Sequence, residues 1–246
     1  MSTWTTSKNY QWLKLVQFWL LPPTCVLCQR PGQTALDLCA DCDARLPRLE
    51  RPCPACAQPL PPGFAGTHCG HCPTDNPLST TVAVLPYAEP VSRLITAFKY
   101  HEQLAAGRVL SALLANAIKT RYPAGTLPDL LVPVPLHPTR LRQRGYNQSL
   151  LIAQDLSRAL GIPVAPHLVQ RRLATPPQQG LAASERRRNL RGAFSVAAQP
   201  GAVSPTRIAL VDDVITTMST IVEVARALQA AHDSITDIHA WCVARA

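Results

Sequence analysis

From residue 76 onward, apolar and polar positions alternate between two periods. Residues 80–85 (TTVAVL) form a short apolar run that predicts a strand, and residues 91–100 a short helix. Residues 104–120 carry a helical period with Leu110, Leu113, Leu114 and Ala117 on one side. Residues 130–134 predict a short buried strand closed by proline. Residues 147–160 predict a helix ended by Gly161, glycine being the usual residue just past a helix end. Further strands are expected at 164–169, 208–211 and 235–244, with a helix at 219–231. Residues 175–185 (TPPQQGLAASE) are small, polar and aperiodic, and predict a mobile loop. Strand–helix alternation of this kind implies an α/β fold: a mainly parallel sheet with helices on both faces. Ligands of such sheets bind beyond the carboxyl ends of the strands.

Before residue 76 the pattern differs. Leu13, Val16 and Leu20 lie on one face at helical spacing, with Trp12, Leu15 and Trp19 beside them, which predicts a short amphipathic helix within residues 1–22. Lys14 and Gln17 interrupt its apolar run, and no small-residue cleavage site follows, so a signal peptide is not expected. No uncharged apolar run approaches the roughly 18 residues a membrane span needs. The expectation is a cytoplasmic protein without stable membrane insertion.

Residues 23–76 hold eight of the nine cysteines, as the pairs Cys25/Cys28, Cys39/Cys42, Cys53/Cys56 and Cys69/Cys72. Each pair is Cys-x-x-Cys, with ten, ten and twelve residues between successive pairs. Two thiolates so spaced sit on one tight knuckle, and two knuckles complete a tetrahedral sulfur cage for Zn²⁺. Four pairs make two structural Cys₄ sites. Sequential use is expected, the first two pairs and then the last two, with interleaved pairing as the alternative. A redox role is disfavoured because no βαβ pattern surrounds the pairs, and disulfides are rare in cytosolic chains. His68 and His71 are expected to be bystanders, and Cys242 a buried core residue.

Charge adds a clue. The 246-residue chain carries 24 basic and 15 acidic side chains, a net of +9. Between Arg140 and Arg191 lie ten arginines, no lysine, and only Asp155 and Glu185 as acids, a net of +8. Forked guanidinium groups suit phosphate oxygens; a solvated basic face is the plain alternative.

The most specific stretch is 207–220, RIALVDDVITTMST. An apolar strand delivers Asp212 and Asp213 to its end; Thr216, Thr217, Ser219 and Thr220 follow, and a helix begins. Amides at a helix start, with hydroxyls nearby, bind a phosphate dianion, and carboxylates can accept hydrogen bonds from ribose hydroxyls. The structural alternative is a strand whose aspartates only cap a helix.

This stretch resembles the phosphoribosyl-pyrophosphate (PRPP) motif of type I phosphoribosyltransferases. The resemblance implies that Asp212 and Asp213 hold the ribose and that Val214, Ile215, Thr216, Thr217, Met218, Ser219 and Thr220 form the phosphate turn. Met218 stands where that family has glycine, a departure expected to narrow the turn. Thr216 stands where 6-oxopurine salvage enzymes have aspartate, which argues against that substrate class. Residues 132–148 (VPVPLHPTRLRQRGYNQ) match the family's pyrophosphate loop, with Arg140, Arg142, Arg144 and Gly145. Residues 175–194 match a flexible lid, with Gln178, Arg186 and Asn189 in its pattern.

Across the chain, the order of Pro-Pro-Thr-Cys-x-x-Cys, four cysteine pairs, Phe98-Lys99-Tyr100, Pro-x-Pro-Leu, Arg-Gly-Tyr-Asn-Gln, Thr-x-x-Gln, Arg-x-x-Asn and Asp-Asp resembles the ComF/GntX family. That family joins a double zinc ribbon to a phosphoribosyltransferase-like domain, here residues 23–76 and 77–246. The resemblance implies binding of PRPP or a phosphorylated ribose with Mg²⁺, and work with single-stranded DNA and competence proteins in DNA uptake. An active transferase, a nucleotide- or DNA-binding module without turnover, and a structural adaptor all remain open. Tyr146 and Phe194 are the candidate stacking residues for the second of these.

Overall fold

The computed structural model describes residues 22–70, 72, 75–173, 190, 192–197 and 205–246. The expected N-terminal helix, His71 and the lid residues Gln178, Arg186 and Asn189 lie outside them. The chain divides into two compact units, Met1–Leu46 and Pro47–Ala246. In the first, a knuckle at Cys25–Cys28 closes as a small hairpin through a Thr24–Pro31 bridge. Helix α1 (Ala40–Arg45) follows, its first turn capped by the Cys39 sulfur, which accepts from the Cys42 amide.

The second unit runs β1 (Thr80–Pro86), α2 (Val91–Tyr100), α3 (Leu104–Arg121), β2 (Leu130–Pro133), α4 (Pro138–Arg144), α5 (Gln148–Leu160), β3 (Val169–Arg171), β4 (Phe194–Val196), β5 (Arg207–Ile215), α6 (Ser219–Ala231) and β6 (Asp237–Arg245). Four strands form a parallel sheet in the order β1-β6-β5-β2. The central pair β5 and β6 is the most apolar: Ile208, Ala209, Leu210, Val211, Ile238, Ala240, Trp241 and Cys242 have no exposed surface. Strands buried on both faces read as continuous apolar runs, which is why both were visible in the sequence. One sheet face, with Ile208, Leu210, Ile238, Ala240 and Cys242, packs with Ile221, Val224, Ala225 and Leu228 of α6. The other meets the region after α3, where the Trp241 indole donates to the Tyr122 hydroxyl at 2.9 Å.

The third cysteine knuckle, Cys53–Cys56, belongs to this unit. Cys53, Cys56 and Ala57 are buried in the same cluster as α6 and the sheet. The Pro54 carbonyl accepts from the Thr81 amide at 2.7 Å, and the Ala55 carbonyl from the Thr81 hydroxyl at 2.9 Å. The Cys25–Cys28 and Cys53–Cys56 knuckles place the residue after their second cysteine in the left-handed region, Gln29 at φ 62° and Ala57 at φ 55°.

Two expected elements differ. The strand expected at 164–169 is two pieces: a single parallel bridge from Val164 to Leu131, then β3 in a separate antiparallel ribbon with β4. Pro163 and Pro166 flank the bridge and have no N–H for a continued ladder. The arginine loop at 140–144 is a helix, α4, with Pro138 in its first turn and Gly145 closing it at φ 81°. Seven residues are too few to display a helical period.

Candidate functional site

Strand β5 outlasts its neighbour β2. The last bond between their chains runs from the Val134 amide to the Val211 carbonyl at 2.9 Å, so Asp212 and Asp213 sit where β2 has already turned away. β6 still pairs with β5 there, with Asp212 opposite Cys242 and Ile215 opposite Arg245.

The two carboxylates have different surroundings. Asp213 is 6% exposed, and its oxygens are engaged inside the protein: Oδ2 meets Lys99 Nζ at 2.7 Å and Oδ1 accepts from the Val214 amide at 2.8 Å. Asp212 accepts from Ser149 Oγ at 2.8 Å and from the Asp213 amide at 2.9 Å, both on Oδ1. It also lines a concavity shared with Val214, Ile215, Thr216, Thr217, Met218, Ser219, Thr220 and Ile221. Burial, and then the neighbouring Asp213 charge, push the Asp212 carboxyl up to about 7. Lys99 feels the opposite balance. Burial disfavours its ammonium, but Asp213 and Asp212 outweigh that, and its pKa is raised. Of the two aspartates expected to hold a ribose, only Asp212 faces the concavity.

The turn after β5 ends at α6. Its N-cap, Met218, offers no side-chain oxygen, and no acid lies in the first helical turn. The amides of Ser219, Thr220 and Ile221 therefore have no partner within the helix, and these three residues line the concavity. Thr217 Oγ1 and Ser219 Oγ lie 3.0 Å apart beside them. Met218 itself takes φ 63°, the left-handed region where glycine is at ease. Its side chain is 5% exposed and packs in the core cluster with Ile215 and Ile221. Most of the methionine is thus taken up in the core, while the residue also borders the concavity. Met218→Gly is expected to lower the thermal midpoint by roughly 3–8 °C. The lost side-chain burial, about 2–5 kcal/mol, exceeds about 1 kcal/mol of relieved backbone strain. Differential scanning calorimetry of the two proteins checks this.

Other segments converge on the aspartates. Asn147 caps α5, accepting from the Ser149 amide at 3.0 Å and donating to the Val134 carbonyl at 3.0 Å, which brings Ser149 to Asp212. Arg144 donates to Gln148 Oε1 at 2.6 Å, and its guanidinium stands 5.0 Å from the centre of the Tyr100 ring. Tyr100 is 63% exposed. Arg140 is half-buried and Arg142 exposed on α4. Arg171 on β3 is buried, with its guanidinium over the Phe194 ring at 5.7 Å. Its pKa is lowered by burial and by the Arg140 charge, with Asp212 acting in the other direction. The stacking candidates change as a result. Phe194 is buried, and the Tyr146 hydroxyl donates to the Phe98 carbonyl in a partly buried place, whereas Tyr100 offers an open face. Lys99, Ser149 and Arg171 were not singled out from the sequence. The signal for Lys99 was there, in the Phe98-Lys99-Tyr100 element.

The cysteines form two groups, Cys25/Cys28/Cys39/Cys42 and Cys53/Cys56/Cys69/Cys72, with the sulfurs of each within 4.8 Å of one another. The pairing is sequential. Cys28 and Cys39 sulfurs are 3.6 Å apart; Cys53–Cys72, Cys56–Cys69 and Cys69–Cys72 are each 3.5 Å. A Zn–S bond of about 2.3 Å implies tetrahedral sulfur separations of about 3.8 Å, so both groups fit zinc. Burial opposes ionisation of Cys53, but amides of Cys69 and Ala55 directed at its sulfur bring it down to about 6, as a thiolate ligand requires. His68 bonds Thr67 at 3.0 Å and is no member of either group. Cys242 is buried, its thiol pushed up by burial. Among the described residues no helix is long and apolar enough to cross a membrane.

Residues 16–73 match the family model of the double zinc ribbon domain. Over 212 residues the chain is 38% identical to competence protein F of Haemophilus influenzae, covering 85% of this chain and 90% of that protein. It is 35% identical over 223 residues to the DNA utilization protein YhgH of Escherichia coli K12, covering 90% and 89%. Competence protein ComFC of Streptococcus pneumoniae is 25% identical over 224 residues, covering 84% and 94%. Among solved structures, the purine phosphoribosyltransferase of Pyrococcus horikoshii Ot3 overlays with a TM-score of 0.31 at 18% identity, covering 67% of this chain and 78% of that one.

Proposed function

The chain belongs to the ComF/GntX family, and from that premise we propose that it binds the ribose 5-phosphate end of PRPP, or of a related phosphorylated sugar, in the service of DNA uptake. One observation carries the binding half: the first residues of α6, whose amides have no partner within the helix, line one concavity with Thr217 and Asp212. The amides and hydroxyls take the phosphate. Asp212, once ionised, accepts from the ribose hydroxyls. Arg140 and Arg142 supply cations for a pyrophosphate, and the family pattern adds Gln178, Arg186 and Asn189 as the lid. Mg²⁺ arriving with PRPP would neutralise further pyrophosphate charge. Turnover would be attack at the anomeric carbon with pyrophosphate leaving, a pentosyl transfer. The DNA half rests on the relatives named for competence and DNA utilization.

Titration calorimetry tests the first half. The zinc-loaded chain is expected to release heat on binding PRPP–Mg²⁺, and Thr217→Val with Ser219→Ala to weaken it about tenfold by removing two hydroxyl contacts of roughly 0.5–1.5 kcal/mol each. A parent chain that binds neither PRPP nor ribose 5-phosphate would remove the proposal.

A second reading, a base-binding adaptor without turnover, is favoured by Tyr100. Its open ring face, backed by Arg144 and beside the cations of α4, is a platform for a nucleobase. Affinity for oligo-dT, read by fluorescence anisotropy, is expected to fall about tenfold with Tyr100→Ala. Arg142→Ala should reduce the salt slope by about 0.7. Binding indifferent to salt and to Tyr100 would exclude this surface.

A further inference from the structure

The second cysteine cage and the phosphate turn are joined by one side chain. Arg245, the last residue of β6, donates through Nε to the Cys56 carbonyl at 3.0 Å. Through Nη1 it donates to the carbonyls of Ile215 at 3.2 Å and Thr216 at 2.5 Å, and also to that of Ala246. Cys56 is a cage thiol and Thr216 opens the turn.

A trans peptide unit is planar, with its C=O and the following N–H pointing in opposite directions. Holding the Ile215 and Thr216 carbonyls on one side therefore aims the amides of Thr216 and Thr217 toward the other; the guanidinium shares the Ile215 carbonyl with the Ala246 amide, which donates to it at 3.0 Å, and extends that hold one residue further, to Thr216. A rigid guanidinium fork fixes both ends of this link. Side-chain packing reinforces it, because Ile215 and Met218 share one core cluster with Cys53 and Cys56.

We infer that Arg245 is a positioning residue that couples the metal-loaded second cage to the phosphate turn, so that the state of this cage, and not of the first, tunes ligand affinity. The inference rests on the reading of the turn as a phosphate site. It goes beyond that reading by giving one of the two zinc sites a part in ligand binding.

The test uses the zinc-loaded full chain and Arg245→Met, with Arg245→Lys as the variant that keeps the charge but not the fork. Backbone ¹⁵N order parameters of Thr216 and Thr217 are measured first, without ligand. They are expected to drop from rigid values near 0.85 to below about 0.6 in Arg245→Met, with Arg245→Lys between the two. Both variants should keep the parent's circular dichroism and two zinc ions per chain. Ribose 5-phosphate affinity should fall on the order of tenfold in Arg245→Met. Linkage is reciprocal, so saturating ribose 5-phosphate should slow zinc transfer from the second cage to a chromogenic chelator in the parent. It should leave the first cage unaffected, and the slowing should vanish in Arg245→Met. Unchanged order parameters in a folded Arg245→Met protein would overturn the coupling, as would equal slowing at both cages. A parent that binds no ribose 5-phosphate would instead remove the phosphate reading, and the order parameters would still decide the coupling.

Discussion

Asp212→Asn is expected to abolish most ribose 5-phosphate binding while making the protein more stable at alkaline pH. The loss follows from two charge-assisted hydrogen bonds to ribose hydroxyls, roughly 1.5–3 kcal/mol each, which an amide accepts poorly; affinity should fall by about 100-fold or more. The gain in stability follows from the setting of the carboxyl. Burial and the Asp213 charge raise Asp212 to about 7, above its ordinary carboxylate value. The folded state therefore holds this proton more tightly than the unfolded chain does. Its contribution to stability is most favourable where Asp212 is protonated and is lost as pH climbs from the carboxylate range through about 7. Asparagine imitates the protonated form, and its oxygen can still accept from Ser149 and the Asp213 amide. The thermal midpoint of Asp212→Asn should exceed the parent's by about 3–6 °C at pH 8, and by much less at pH 5. A group kept charged for a ligand at the expense of the fold behaves in this way. Equal midpoints at pH 8, measured by scanning calorimetry, would show that the carboxylate costs the fold nothing.

Lys99→Met is expected to be the most damaging single change near the site. Lys99 Nζ meets Asp213 Oδ2 at 2.7 Å, and both side chains are largely buried. Removing one partner of such a pair leaves a buried charge unmatched, at about 3–5 kcal/mol. For a chain of this size that lowers the thermal midpoint by about 10 °C. Lys99 also lowers the Asp212 pKa, so its loss should move ligand binding to still higher pH. Pairing Lys99→Met with Asp213→Asn should recover most of the lost stability. A double variant no more stable than Lys99→Met alone would show that the cost is packing of the lysine stem rather than the pair.

What the sequence disclosed follows from what local patterns encode. The apolar runs of β5 and β6 are legible because strands covered on both faces leave no polar alternation. The cages are legible because Cys-x-x-Cys spacing is itself the knuckle geometry. Asp212 and the hydroxyls of the turn are adjacent in the chain, so their meeting needs no knowledge of topology. Lys99 and Asp213 are 114 residues apart, and only the tertiary fold brings the end of α2 to β5; no period in either segment announces it. Arg245 looks like an ordinary charged residue at a strand end until β6 is placed beside β5. Met218 stands where a glycine would be at ease, and how its side chain divides between core and concavity depends on the core beneath it, which no local pattern encodes. The α4 helix is not legible in the sequence because Pro138 and Gly145, correct helix boundaries, enclose too short a span to show a period.

The most direct measurement is a crystal structure of the zinc-loaded chain with ribose 5-phosphate. The phosphate is expected on the amides of Ser219 and Thr220 with the Thr217 hydroxyl in reach, and the sugar hydroxyls on Asp212. Ligand density elsewhere on the molecule, with Asp212 still bound only to Ser149 and the Asp213 amide, would contradict the assignment of this concavity.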